Sequence, residues 1–174
     1  LESRTTDSST GNVALGNRVS ALEGKPGIVL RKNANQTIGN TAGDVIITWQ
    51  VIETGTASMK SGDSIVIPED GKYFLSANIN LQSIADAGGA STGDPGECIV
   101  YITNGTAHPS GSSLAAFGQP GKLTGGLGNG LSTSTVRELN AGDTLYVMVY
   151  QNSAVSRPAR MSDFGGCTFA VAKL

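Results

Sequence analysis

Apolar and polar positions alternate most cleanly between Ser64 and Leu81, SIVIPEDGKYFLSANINL. A short apolar run (Ile65, Val66, Ile67) meets the polar hinge Pro68-Glu69-Asp70-Gly71, and a long strand follows. Proline presets its own φ, and Asp-Gly supplies the positive-φ position that a tight reversal needs. Period two then places Tyr73, Leu75, Ala77, Ile79 and Leu81 on one face, and Phe74, Ser76, Asn78, Asn80 and Gln82 on the other. The first face predicts burial. The second is mostly polar but uncharged, which suits a half-buried surface such as a subunit contact.

Strand patterns recur from Gly27 to the end. They are expected at Gly27–Lys32, Val45–Ile52 (with the single tryptophan, Trp49), Ser64–Ile67, Tyr73–Gln82, Glu97–Thr103 and Ser113–Phe117. Three more follow at Leu131–Leu139, Asp143–Gln151 and Cys167–Ala172. Turn-rich or glycine-rich stretches lie between them, notably around residues 33–44, 84–96, 105–130 and 152–163. About nine or ten strands with almost no helix predict an all-β antiparallel sandwich or jelly roll, because parallel strands need crossover helices.

The N-terminal segment, residues 1–26, reads differently. Residues 1–11 are small and polar, as in a linker. Leu15, Val19 and Leu22 then fall four and three apart, the spacing of a coiled-coil seam, before Gly24 and Pro26 end the helix. A helix of about three turns is marginal alone in water. The expectation is therefore a short multi-chain stem, the alternative being a lone amphipathic helix docked on its own domain.

Composition supports one β-rich domain (27–174) with a short appendage. Of 174 residues, 24 are glycine and only 15% are charged, a low charge that leans toward an oligomer or larger assembly. A net charge of −2 and the lack of a basic patch exclude a nucleic-acid backbone binder. No run reaches the length of a membrane span and no signal peptide is visible, while a start at Leu1 leaves a processed or truncated N-terminus open.

Candidate chemistry is sparse. Cys98 alternates with Val100 and Ile102, and Cys167 with Phe169 and Val171, which predicts buried thiols, with an inter-strand disulfide left open. The single histidine, His108, lies in a loop beside Pro109 and has no evident nucleophile to serve. Carboxylate pairs exist at Asp86/Asp94 and Glu69/Asp70, but adjacent acids in turns are ordinarily solvated. The glycines at 121–130 precede no helix start, so no phosphate cradle forms, and the glycosylation patterns at Asn35 and Asn104 read as accidental. No catalytic residue, metal or cofactor is expected. Surface recognition remains, through the long loops, where Lys122, Arg157 and Arg160 add scattered positive charge and Tyr101 and Tyr150 end strands nearby.

Three motifs, in order, resemble the heads of the complement and tumour-necrosis-factor jelly-roll superfamily. Pro68, Gly71 and Tyr73 resemble its Pro-x-x-Gly-x-Tyr signature, Gly142 and Asp143 its Gly-Asp turn, and Phe164 and Gly166 its Phe-x-Gly hinge before the last strand. The resemblance covers Gly27 to the end and implies a ten-stranded jelly roll forming a homotrimer around a threefold axis. The chain departs from animal members in lacking a collagen repeat and in having 5% aromatic residues. The family's calcium sites do not transfer, because no matching acidic cluster is present. A short stem joined to such a head also resembles fibre and tail proteins of bacteriophages. The function expected is a structural virion protein, assembled in the host cytoplasm, whose N-terminal segment joins tail or capsid proteins and whose head binds a bacterial surface polysaccharide or protein. Alternatives are a capsid-bound head fibre or decoration protein and a secreted adhesion or signalling module. Neither nucleic acid nor membrane is an expected partner.

Overall fold

The computed structural model describes residues 24–40, 43–82, 96–106, 113–120, 129–152, 155–159 and 166–174. The stem residues Leu15, Val19 and Leu22 lie outside these, as do Phe164, His108, Asp86, Asp94, Lys122 and Arg160.

Among the described residues thirteen strands follow one another: β1 (Gly27–Arg31), β2 (Gln36–Ile38), β3 (Asp44–Ile46), β4 (Val51–Gly55), β5 (Lys60–Ser61), β6 (Ser64–Val66) and β7 (Gly71–Leu81), then β8 (Glu97–Asn104), β9 (Ser113–Pro120), β10 (Asn129–Leu139), β11 (Thr144–Gln151), β12 (Arg157–Ala159) and β13 (Thr168–Lys173). Among the described residues, helix is confined to a 3-10 turn at Ala57–Met59. The strands form two antiparallel sheets. In the seven-stranded sheet β7 is central, with β10 along one side and β13, then β1 and β4, along the other, while β12 and β2 continue the row. The six-stranded sheet runs β5-β6-β11-β8-β9, with β3 also on β11.

β7 behaves as its alternation requires. Tyr73, Leu75, Ala77, Ile79 and Leu81 are all fully buried against the second sheet, while Lys72 and Phe74 are exposed and Ser76, Asn78 and Asn80 half-buried. Both cysteines are buried and unbridged, in the core with their predicted neighbours Val100, Ile102, Phe169 and Val171. The core is a single cluster between the sheets.

Three expectations need correction. Val45–Ile52 is not one strand: β3 belongs to the second sheet and β4 to the first. The crossing buries Ile47 and Trp49, and side chains take over part of the ladder's role. Gln36 Oε1 accepts the Thr48 N–H at 2.8 Å and Asp63 Oδ1 that of Trp49 at 3.1 Å. Second, the turn-rich 33–44 segment contains β2. Third, the 152–163 loop contains β12, which pairs β2 with Arg157 opposite Ile38. Pro158 masks β12 in the sequence because proline normally marks an edge or a break.

The sandwich has a direction. At one end the Lys173 N–H donates to the Pro26 carbonyl at 3.0 Å, so the N-terminal segment enters beside the C-terminus. β7 leaves this entry end at Gly71 and reaches the far end at Leu81, and Cys98 pairs there with Gln151. The connections from β7 to β8, β9 to β10 and β11 to β12 therefore span strand ends opposite the point of entry.

Candidate subunit interface

Two of the three resemblance motifs, the Pro68–Tyr73 hinge and the Gly142-Asp143 turn, meet at the entry end. The Tyr73 hydroxyl, at the end of a buried ring, donates to the Glu69 carbonyl at 3.0 Å and ties the Pro68–Gly71 hinge to β7. Gly71 sits at φ 151°, and a Cβ there would lie 2.6 Å from Lys173 Cε. Lys173 Nζ donates to Glu69 Oε1 and to the Asp70 carbonyl, both at 2.8 Å. Asp70 Oδ1 accepts the Ala141 N–H at 2.7 Å, and Asp143 Oδ2 accepts that of Asn140 at 2.8 Å. The Gly142 N–H donates to Ile67 O at 2.8 Å, closing the β10–β11 turn against the hinge. Pro68, Gly71, Tyr73, Gly142 and Asp143 thus form one interlocked corner in which Glu69 and Asp70 serve as hinge acceptors. Burial first, with the charge of Glu69, holds the Tyr73 phenol above its ordinary range, and the hydrogen bond to Glu69 raises Lys173. Gly166 stands apart from this corner: its carbonyl accepts from Asn78 Nδ2 at 3.3 Å.

The middle of the outward face of β1, β13, β7 and β10 is built mostly from neutral side chains, bounded at the entry end by the exposed charged pair Lys72–Glu138. One row reads Val29, Ala170, Ser76, Ser134, and the next Gly27, Ala172, Phe74, Val136. A third runs Arg31, Thr168, Asn78, Ser132, where the Ser132 hydroxyl donates to Asn78 Oδ1 at 3.0 Å. Arg31 is the one charge in these rows, and Glu53 lies 3.9 Å away. Phe74 and Val136 face each other across the ladder with 39% exposure each, a cross-strand apolar pair in open solvent. A largely neutral patch with an exposed cross-strand apolar pair has the composition of the buried centre of a protein interface.

The neighbouring edge carries a counterpart. β9 is the outermost strand of the second sheet, and its eight residues, SLAAFGQP, contain no charge. Phe117 pairs with core-facing Val100 yet is 42% exposed, because no further strand flanks it. Arg137 Nη2 donates to the Leu114 carbonyl at 2.7 Å, joining β10 to β9 across the open edge. An uncharged edge strand of this length invites pairing or cover.

Two buried cations went unrecognised in the sequence. Lys32 is fully buried and donates to Thr48 O (2.9 Å), Thr48 Oγ1 (3.1 Å) and Gln36 Oε1 (3.1 Å), so its three protons meet neutral acceptors. Burial pushes its pKa down, partly countered by Cys167 and Asp63. The sequence held a signal, since Ile28, Leu30 and Lys32 share one period-two face. Arg157, expected as surface charge on a loop, is instead fully buried and donates from Nε to Gln82 O at 2.6 Å and from Nη1 to Cys98 Sγ at 2.9 Å. It is a cross-sheet strut rather than a contact residue. Among the described residues no group of three His, Cys, Asp or Glu is placed to hold a metal.

No protein-family model matches the chain, and no curated protein matches it in sequence. Solved structures do match in shape. A crystal structure of murine APRIL at pH 5.0 superposes with a TM-score of 0.58 at 15% identity, covering 86% of this chain and 99% of that one. The same protein at pH 8.0 gives 0.56 at 15% identity, with the same coverage of both chains. The chain therefore has a tumour-necrosis-factor-like all-β sandwich, reached with little sequence in common.

Proposed function

We propose that the chain forms a homotrimeric, non-enzymatic recognition head, carried on an N-terminal stem as part of a bacteriophage fibre or spike. The observation that carries the trimer is that one chain presents both an exposed Phe74–Val136 patch and an uncharged β9 edge bearing Phe117. These are different surfaces of one chain, so a contact between them is head-to-tail and closes into a ring at a threefold rotation. Three copies present each recognition surface three times, and weak contacts to a bacterial surface then add through avidity.

The virion assignment is supported by the seam residues Leu15, Val19 and Leu22 immediately before a jelly-roll head, and by low charge with abundant glycine. Entry of the N-terminal segment beside Leu174 fits a stem at one end with recognition at the other. The likeness to murine APRIL favours a second reading, a secreted adhesion or signalling module of the same fold. Fluorescently labelled protein separates the two. Punctate decoration of particular bacterial cells supports attachment from a virion, whereas binding confined to animal cells supports the secreted module.

A further inference from the structure

The outward face of the second sheet differs in chemistry from the neutral face of the first. The chain has four tyrosines; Tyr73 is in the core, and Tyr101, Tyr146 and Tyr150 all stand half-buried on this face. The register fixes their arrangement: Asp44, Tyr150 and Ile99 form one row, and Ile46, Met148 and Tyr101 the next. Tyr146 and Tyr150 flank Met148 on β11. Met148 points outward yet is only 4% exposed, an apolar floor between the rings.

Negative charge borders the rings. Asp44 is the direct cross-strand partner of Tyr150. Glu97 is on the same face of β8 as Tyr101, with Oε1 3.6 Å from where a Cβ on Gly118 would lie. Burial, followed by the charges of Asp44 and Glu97, raises the Tyr101 phenol. No lysine or arginine occurs in β3, β8, β9 or β11.

We propose that this tyrosine face binds an organic ammonium group, such as an amine or trimethylammonium substituent on a bacterial surface polymer. Ring faces attract a cation through their quadrupole, and carboxylates at the rim reinforce the attraction, with no lysine or arginine on β3, β8, β9 or β11 to oppose it. A neutral sugar needs no negative rim, and an anionic one is repelled by it. The proposal rests on the recognition-head reading for its biological partner but not for its chemistry. In the proposed trimer subunits cover the first sheet's face and the β9 edge, which leaves the outward face of β3, β8 and β11 toward solvent.

The test uses the whole chain with choline, and with 3,3-dimethylbutan-1-ol as the neutral isostere. Saturation-transfer NMR should carry magnetisation from tyrosine ring protons to the choline methyl groups, with the isostere bound about tenfold more weakly. Glu97→Lys, at an exposed position, should abolish transfer while the folded spectrum persists, and Tyr101→Leu should weaken it several-fold. Equal transfer to choline and the isostere, or none to either, overturns the site. A second arm measures competition by free choline against labelled protein on bacterial cells. Choline binding without any cell decoration leaves the site standing and removes the host-surface reading; decoration that choline does not displace overturns the site's role in attachment.

Discussion

Arg157 Nη1 lies 2.9 Å from Cys98 Sγ, linking the short strand β12 of one sheet to the start of β8 in the other through a buried guanidinium and a thiol. Burial pushes the Cys98 thiol up despite the adjacent positive charge, so the pair consists of a cation and a neutral acceptor. Such a strut holds geometry because either partner alone leaves a polar group stranded.

Removing the strut should therefore cost stability unequally. Arg157→Ala opens a cavity and strands Gln82 O, for an expected loss of about 3 kcal/mol. Cys98→Ala keeps the Nε bond to Gln82 and should lose about 1–2 kcal/mol. Urea denaturation of the two variants measures the difference, and equal losses below about 0.5 kcal/mol contradict the assignment of a cross-sheet role.

Two glycines separate backbone strain from steric clash. Gly142 has φ 90° with nothing within 4 Å of an added Cβ, so Gly142→Ala should cost about 1–2 kcal/mol from conformation alone. Gly55 has φ 105°, and its Cβ would lie 2.1 Å from Gly27 O and 2.7 Å from Ile28 Cα, where it pairs with Ile28 of β1. Gly55→Ala should cost about 3 kcal/mol or more and release β4 first, visible as faster amide exchange at Val29 and Arg31, the β1 amides that face β4. Gly55→Ala no worse than Gly142→Ala would mean the close approach of the two strands is wrong.

Stability should fall above pH 9. Burial raises Cys98 and Cys167 above their ordinary 9.0, and Tyr73 and Tyr101 above 10.0. In each case the folded chain holds the proton more tightly, so the contribution is intact below the unfolded value and is lost as pH rises through the folded one. Lys32 works in the opposite sense: lowered from 10.5, it adds stability as pH rises from its folded value toward 10.5. Lys173, raised by its hydrogen bond to Glu69, acts with these four, and five groups against one give a lower urea midpoint at about pH 10 than at about pH 8. Replacing both cysteines by alanine should flatten the early part of that fall, and a midpoint that rises over the interval contradicts these burial assignments.

The strands that read most clearly in sequence are those with one wet and one dry face. β7 showed its core side because alternation over Tyr73–Leu81 leaves no other arrangement, and the thiol positions followed from the same rule. The outward side of β7 was legible as neutral, but its rows required the register with β1, β13 and β10, which sequence does not contain. Val45–Ile52 misled because a chain crossing between sheets stays apolar without staying in one ladder. Arg157 misled for a related reason: its charge argued for solvent, while its acceptors, Gln82 and Cys98, come from residues 75 and 59 positions away. Lys32 was readable in principle, since it continues the buried alternation of β1.

The account turns on copies of the chain closing through the Phe74–Val136 face, and the mass in solution tests this most directly. Light scattering at micromolar concentration should give three times the 17.7 kDa of the single chain, and Phe74→Glu with Val136→Glu should reduce it to one copy with an unchanged far-UV spectrum. A wild-type monomer, or a trimer indifferent to both substitutions, contradicts it.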